Sequence, residues 1–247
     1  MRLISLFFQF IYTVHVYIVW CLMFFFHWLV SVCVIWFTPS PARACIRLCF
    51  PFLALGFWLT GVRYEVKGAF DNDLDNPVLI ISNHQSLLDI GLLYLVLRRP
   101  FIFVTKKELL RVPILGWDIR LMKQIVVDRQ NARVARDQLA QVKDRFMGGD
   151  SVVFFAEGTR SVSDRILPFK RGPFLLAVEM GASILPCRID GANRLINKSS
   201  VLMRPGTVHV HLGSIKQVDK VPDAVKQKQA ATVLKDEIYT CISEDLN

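Results

Sequence analysis

The sequence predicts an α/β fold, a largely parallel or mixed sheet covered by helices, preceded by an N-terminal apolar helical hairpin. Three observations carry that prediction. Apolar runs of strand length recur at Val78 to Ser82, Phe101 to Thr105, Gln124 to Val127, Ser151 to Phe155, Ile184 to Arg188 and Thr207 to Leu212. Stretches of helical length alternate with them, at Ser86 to Leu97, Asn131 to Phe146, Gly172 to Met180 and Asp223 to Ser243, and helices between apolar strands imply a sheet buried on both faces. Ahead of them, residues 1–62 hold three charged side chains, Arg2, Arg43 and Arg47, and no acid.

The hairpin comes first. From Leu3 to Phe37 the chain is almost continuously apolar, interrupted by Gln9, His15 and His27. As one helix these 35 residues extend about 52 Å against a hydrocarbon layer of roughly 30 Å, so the segment tilts, kinks or lies partly in the interface. It is too long for a signal-peptide core, and Ala42-Arg43-Ala44 only faintly mimics a cleavage site. Thr38-Pro39-Ser40-Pro41 breaks the segment, and Ala44 to Thr60 follows as a second apolar stretch containing Arg47. Together they read as a hairpin that spans a membrane or is embedded in one leaflet. The uninterrupted length weighs against a buried core hairpin of a soluble protein.

Residues 63–247 form the second unit, long enough for one α/β domain. Asp71 to Pro77 reads as a turn before its first strand, and no internal repeat or low-complexity tract follows. Of the formal charge of +9, six lie beyond residue 62. Such a surface suits anionic lipid headgroups, phosphorylated small molecules, CoA or an acidic carrier protein. Nucleic acid is the competing partner, but the basic residues are dispersed and no nucleic-acid-binding signature is present. Four of the six cysteines, Cys21, Cys33, Cys45 and Cys49, lie in the apolar region, and only Cys187 and Cys241 lie beyond it. That spacing forms neither a disulfide framework nor a zinc pattern, and it suits a reducing, cytosol-facing environment.

Two loops carry the chemistry, each after an apolar strand. Asn83-His84-Gln85-Ser86-Leu87-Leu88-Asp89 follows Val78 to Ile81. With Ser86 as helix N-cap, Asp89 is the third helical residue and tilts back toward His84. A carboxylate there accepts one ring N–H and leaves the other nitrogen free as a base. Ser-x-x-Asp is equally a plain capping box, in which Asp89 only satisfies backbone donors. The second loop, Ala156-Glu157-Gly158-Thr159-Arg160-Ser161, follows Val152 to Phe155. Gly158 permits a tight turn, Thr159 and Ser161 offer hydroxyls, and Arg160 offers a fork suited to phosphate oxygens. The bland alternative is a surface loop in which Glu157 and Arg160 pair with each other.

Asn83-His84 with Asp89, together with Glu157-Gly158-Thr159-Arg160, resembles the 1-acylglycerol-3-phosphate acyltransferase (PlsC-type glycerolipid acyltransferase) family. Two further motifs have counterparts in order: Lys106-Lys107-Glu108-Leu109 running to Pro113 and Gly116, and Leu185-Pro186-Cys187. The resemblance runs from Tyr64 to Leu212. It departs at Ala156, where the family usually has Pro, and at Cys187, where it has an aliphatic residue.

The resemblance implies a catalytic domain over residues 63–247 with a glycerolipid acyltransferase-like fold. It implies acyl transfer from acyl-CoA or acyl carrier protein to the free hydroxyl of 1-acylglycerol 3-phosphate, giving phosphatidic acid. His84 would remove the hydroxyl proton with Asp89 supporting it, and Lys106, Lys107, Glu157, Gly158, Thr159 and Arg160 would form the acceptor phosphate site. Asn83, Ser86 and Pro186 would support them, with no metal and no cofactor. The partners would be lysophospholipid, acyl thioester and membrane lipid, at a membrane with the catalytic domain facing the cytosol. Another lysolipid or glycerol 3-phosphate is the alternative acceptor. A non-catalytic membrane-anchored phosphate-binding protein and a thioester hydrolase are the alternatives of other classes.

Three residue groups have simpler explanations than chemistry. Ser86 could be a nucleophile beside His84, but no Gly-x-Ser-x-Gly elbow exists and capping accounts for it. His209 and His211 share one strand face and could chelate a metal, but the polar face of an edge strand explains them. Asn131 to Arg145 reads as an amphipathic helix with a solvated face.

Overall fold

The structure is a computed structural model that describes residues 2–70, 76–127 and 132–246. The Asp71 to Pro77 turn falls outside the described residues over 71–75, as do Asn131 and the side chains of 132–139.

The chain opens with helix α1 (Arg2–Val34), a single 3-10 turn (Ile35–Phe37) and helix α2 (Pro41–Leu59). Pro41 suits the start of α2, where its missing N–H has no partner to lose. Then follow β1 (Val62–Lys67), β2 (Leu79–Ser82), α3 (Leu88–Leu97), β3 (Phe101–Lys106), a 3-10 segment (Lys107–Arg111), α4 (Leu115–Leu121) and β4 (Ile125–Val127). The second half holds α5 (Ala132–Met147), β5 (Ser151–Phe155), α6 (Gly172–Met180), β6 (Ile184–Asp190), α7 (Ala192–Leu195), β7 (Gly206–Leu212) and α8 (Ala224–Thr240). Asp223 caps α8 by accepting from the N–H groups of Val225 and Lys226.

The seven strands form one sheet in the order β1-β7-β6-β2-β5-β3-β4. Strands β6, β2, β5, β3 and β4 run parallel, while β7 is antiparallel to β6 and β1 follows β7. The sheet is therefore mixed. Alternate residues of its strands feed two cores. Ile80, Val153, Leu185 and Val208 face α2 and α3, whereas Leu79, Ile81, Val152 and Ile184 face α6 and α8. Each such fully buried aliphatic side chain contributes about 1.5–3 kcal/mol.

The hairpin belongs to the first of these cores, through Val16, Cys45, Ile46, Leu53 and Phe57. Gly56 lets α1 and α2 approach, since a Cβ there would lie 3.0 Å from the Trp20 ring. Three polar side chains of α1, Thr13, His27 and Ser31, are buried on its inward face. Its outward face is apolar, with Ile4, Phe7, Phe8, Ile18, Leu22 and Phe26 exposed. His27 Nδ1 meets Asp118 Oδ1 at 3.0 Å, and its Nε2 meets the Cys45 carbonyl at 2.9 Å. Both partners are acceptors, so the ring donates from both nitrogens, as an imidazolium paired with a buried carboxylate of α4.

Four expectations need correction. Strand β1 was not expected, and neither were the short helices α4 and α7. Helix α3 starts after Leu87, one residue later than Ser86 as its N-cap implies, while the Ser86 hydroxyl accepts from the Leu88 N–H at 3.4 Å. Strand β7 is not an edge, because β1 lies outside it. His209 instead pairs with Glu65 of β1 at 3.2 Å, and no group of three metal-ligating residues exists among the described residues.

Candidate active site

Strands β2 and β5 are adjacent and parallel, with Ser82 opposite Phe155. Both chemistry-bearing loops therefore leave the sheet side by side, at the carboxyl ends of its parallel strands.

Asn83 fixes the start of the first loop. Its Oδ1 accepts from the Ile189 N–H and its Nδ2 donates to the Ile189 carbonyl, both at 2.8 Å. The amide thus continues the β2–β6 ladder one step after the strand has ended. His84 follows, and its Nδ1 donates to Asp89 Oδ2 at 2.7 Å. The same oxygen accepts from the N–H groups of Gln85 at 2.7 Å and Ser86 at 2.9 Å. The capping and base-orienting readings of Asp89 are thus one arrangement, in which a single oxygen closes the loop and holds the ring. Asp89 is fully buried and His84 keeps 19% of its side chain exposed. The ring lies flat on Phe155, with centroids 4.0 Å apart and planes 17° off parallel. With Nδ1–H directed at a carboxylate, Nε2 carries the lone pair.

Ser86 is fully buried, and its hydroxyl donates to the Ile196 carbonyl at 3.1 Å. That engagement removes it as a nucleophile.

The second loop wraps the first. Its Ser161 N–H donates to the His84 carbonyl at 2.8 Å, and Glu157 Oε1 accepts from the His84 N–H at 2.7 Å. Glu157 Oε2 accepts from the Leu167 N–H at 2.9 Å, so this carboxylate is turned inward, 2% exposed. It does not pair with Arg160. Burial lifts its carboxyl from 4.5 to about 7 against the pull of the two backbone donors, with a smaller push from Asp89. Gly158 adopts φ = 72°, a conformation glycine takes freely. Ala156 donates its N–H to the Ser82 carbonyl at 3.0 Å, a bond that proline at this position would lack. Cys187 is fully buried, and burial pushes its thiol far above the ordinary range.

Arg160 is partly exposed, with no carboxylate partner among the described residues. Thr159 Oγ1 accepts from Lys198 Nζ at 2.9 Å. Lys106 ends β3, and Lys107 opens the 3-10 segment behind it. With β5 between β3 and β2, these lysines stand about 10 Å, two strand spacings, to the side of the His84 strand. Pro186 is not at the strand ends. It lies within β6 opposite Ile81, with its carbonyl accepting from Gly213. Phe155, Ile196 and Lys198 were not foreseen as parts of this site. An aromatic residue ending a strand directly before Glu157 is a usable signal for the first, and nothing local marks the other two.

Residues 63–190 match the family model described as Acyltransferase, just over half of the 247-residue chain. The chain belongs to the acyltransferase family. It is 37% identical over 161 residues to a 1-acyl-sn-glycerol-3-phosphate acyltransferase of Pseudomonas aeruginosa, covering 63% of this chain and 62% of that protein. It is 36% identical over 165 residues to one of Chlamydomonas reinhardtii, covering 64% of this chain and 49% of the other. The chain thus spans about half to three-fifths of these relatives' length. The fold is that of the crystal structure of the 1-acyl-sn-glycerophosphate acyltransferase PlsC from Thermotoga maritima. The TM-score is 0.76 at 23% identity, over 97% of both chains.

Proposed function

We propose that this acyltransferase transfers a fatty acyl group from an acyl thioester, carried by CoA or acyl carrier protein, to the free hydroxyl of 1-acylglycerol 3-phosphate, giving phosphatidic acid. The observation that carries this is the 2.7 Å contact between His84 Nδ1 and a fully buried Asp89. Among the described residues it leaves Nε2 unengaged, beside a loop whose outward charge is cationic.

Nε2 takes the hydroxyl proton as the acceptor oxygen attacks the thioester carbonyl. Asp89 stabilises the imidazolium that forms. The tetrahedral intermediate then breaks its C–S bond, and the imidazolium returns the proton to the departing thiolate. No acyl-enzyme forms and only protein groups act. Arg160, assisted by Lys106 or Lys107 from the neighbouring strand, binds the acceptor phosphate. Glu157, which the resemblance counts with the phosphate site, positions the loop by holding the backbone N–H groups of His84 and Leu167.

The hairpin brings this site to lipid. Two helices are long and apolar enough to cross a membrane, and α1 leaves a row of large apolar side chains exposed along its length, which a soluble surface helix would cover. Thr13 of α1 accepts from the Met203 N–H at 2.9 Å, beside the start of β7 and hence at the active-site end of the sheet. The exposed Ile4, Phe7, Phe8 and Ile11 precede it in the helix. We read the hairpin as embedded at a membrane surface, with the site opening where the lysolipid resides and the catalytic domain on the cytosolic side. The test is purified protein in mixed micelles with labelled acyl-CoA, acyl carrier protein thioester and a panel of lysolipids. Phosphatidic acid formed with stoichiometric thiol release supports the reading. Thiol release without acceptor would make the protein a hydrolase.

A further inference from the structure

Lys198 lies outside all four family-like motifs, yet the fold brings it onto the Arg160 loop. Its Nζ donates to Thr159 Oγ1 at 2.9 Å and to the Arg160 carbonyl at 3.3 Å. Two bonds leave one N–H of the ammonium unused. Both partners are neutral oxygens, so the cation is held in place without being neutralised. Among the described residues no carboxylate pairs with it, and the first acid after the second loop, Asp164, is held by Arg194 at 2.6 Å. That pairing, with a guanidinium beside it, also holds the Asp164 carboxyl below its usual range.

The segment carrying Lys198 is itself anchored. Asn197 Oδ1 accepts from the Ser199 N–H at 2.9 Å, and its Nδ2 donates to the Val162 carbonyl at 3.4 Å. Ile196, two residues before Lys198, accepts the Ser86 hydroxyl, and Ser161, one residue after Arg160, donates to the His84 carbonyl. Two cations from different segments thus each stand within two residues of a direct bond to the stretch from His84 to Ser86. Glu157 is turned away into the protein. The charged side chains that this loop and the Lys198 segment leave unburied are therefore both cations, on segments bonded directly to the His84 to Ser86 stretch.

We infer that Lys198 is a further cation of a phosphate subsite, taking a phosphate monoester together with Arg160. This rests on the acyl-transfer reading only for the origin of the ligand. A phosphomonoester is dianionic at neutral pH and offers three acceptor oxygens, enough for an Arg fork and an ammonium together. It reaches this protein either as the phosphate of the acceptor or as the 3′-phosphate of CoA.

The experiment measures binding rather than turnover, so that a failure of the catalytic reading leaves it intact. The full chain in micelles, as wild type, K198Q and K198R, is titrated with glycerol 3-phosphate, with glycerol, and with adenosine 3′,5′-bisphosphate, alongside thermal midpoints. K198Q weakens one of the two phosphate probes about tenfold, the size of one charge-assisted contact. K198R restores it to within about threefold, and the midpoints stay the same. Loss confined to glycerol 3-phosphate assigns the subsite to the acceptor, and loss confined to the bisphosphate assigns it to the donor. Unchanged affinity for both probes, or a loss that K198R does not recover, overturns the inference and leaves Lys198 as a loop anchor.

Discussion

Replacing Asp89 by Asn tests the proposed division of labour at the imidazole. The substitution keeps an oxygen where Oδ2 now accepts from the His84 ring and from the N–H groups of Gln85 and Ser86. The loop and the ring tautomer therefore survive, and what disappears is the full negative charge beside the ring. With charge centres about 4 Å apart and an effective dielectric near 20, that charge favours the transition-state imidazolium by about 4 kcal/mol. The resulting fall in kcat is on the order of 10³. KM for both substrates stays within about twofold, because Asp89 is fully buried and touches neither. The assay is steady-state phosphatidic acid formation, with a thermal midpoint to confirm folding. A kcat within tenfold of wild type would refute the electrostatic role and reduce Asp89 to the loop-closing residue that its backbone bonds alone describe.

Two further outcomes follow from buried carboxylates. Glu157 holds its proton to about pH 7 in the folded chain against an ordinary 4.5, so between those values the folded state binds more protons than the unfolded one. Its contribution to stability is present below 4.5 and lost as pH rises through 7, by up to about 3 kcal/mol. Urea midpoints at intervals from pH 4.5 to 7.5 should show this downward slope in wild type and lack it in E157Q, and identical slopes would contradict it. Asp118→Asn leaves the His27 imidazolium buried without its counter-charge, costing about 3–5 kcal/mol and lowering the thermal midpoint by about 10 °C. A midpoint within 2–3 °C or so of wild type would mean the pair contributes nothing to holding the hairpin on the domain.

What the sequence made legible was set by locality. The alternation of apolar runs and helical stretches, the mixed sheet and the two polar loops at strand ends all depend on neighbours within a few residues, and the structure retains them. Strand β1 escaped because it is an edge strand with only Val62 buried, so its residues lack the apolar run that marked the others. The Ser86 hydroxyl, read locally as a cap, also donates to a carbonyl 110 residues away, in Ile196, a partner no local rule supplies. The resemblance counts Glu157 with the acceptor phosphate site and the bland alternative pairs it with Arg160, whereas two backbone N–H groups, of His84 and Leu167, draw it inward. His27 was an interruption in an apolar run until Asp118, 91 positions on, supplied its partner.

The central claim is that His84 Nε2 is the base that drives acyl transfer at a lipid surface. Its most direct test is His84→Ala, compared with wild type for phosphatidic acid formation from acyl-CoA and 1-acylglycerol 3-phosphate on anionic vesicles, with vesicle co-sedimentation measured in the same samples. Product formation falling at least about 10³-fold with unchanged sedimentation is the result expected when a general base is removed and the hairpin is untouched. Turnover within tenfold of wild type in a variant that still sediments with vesicles would contradict the account.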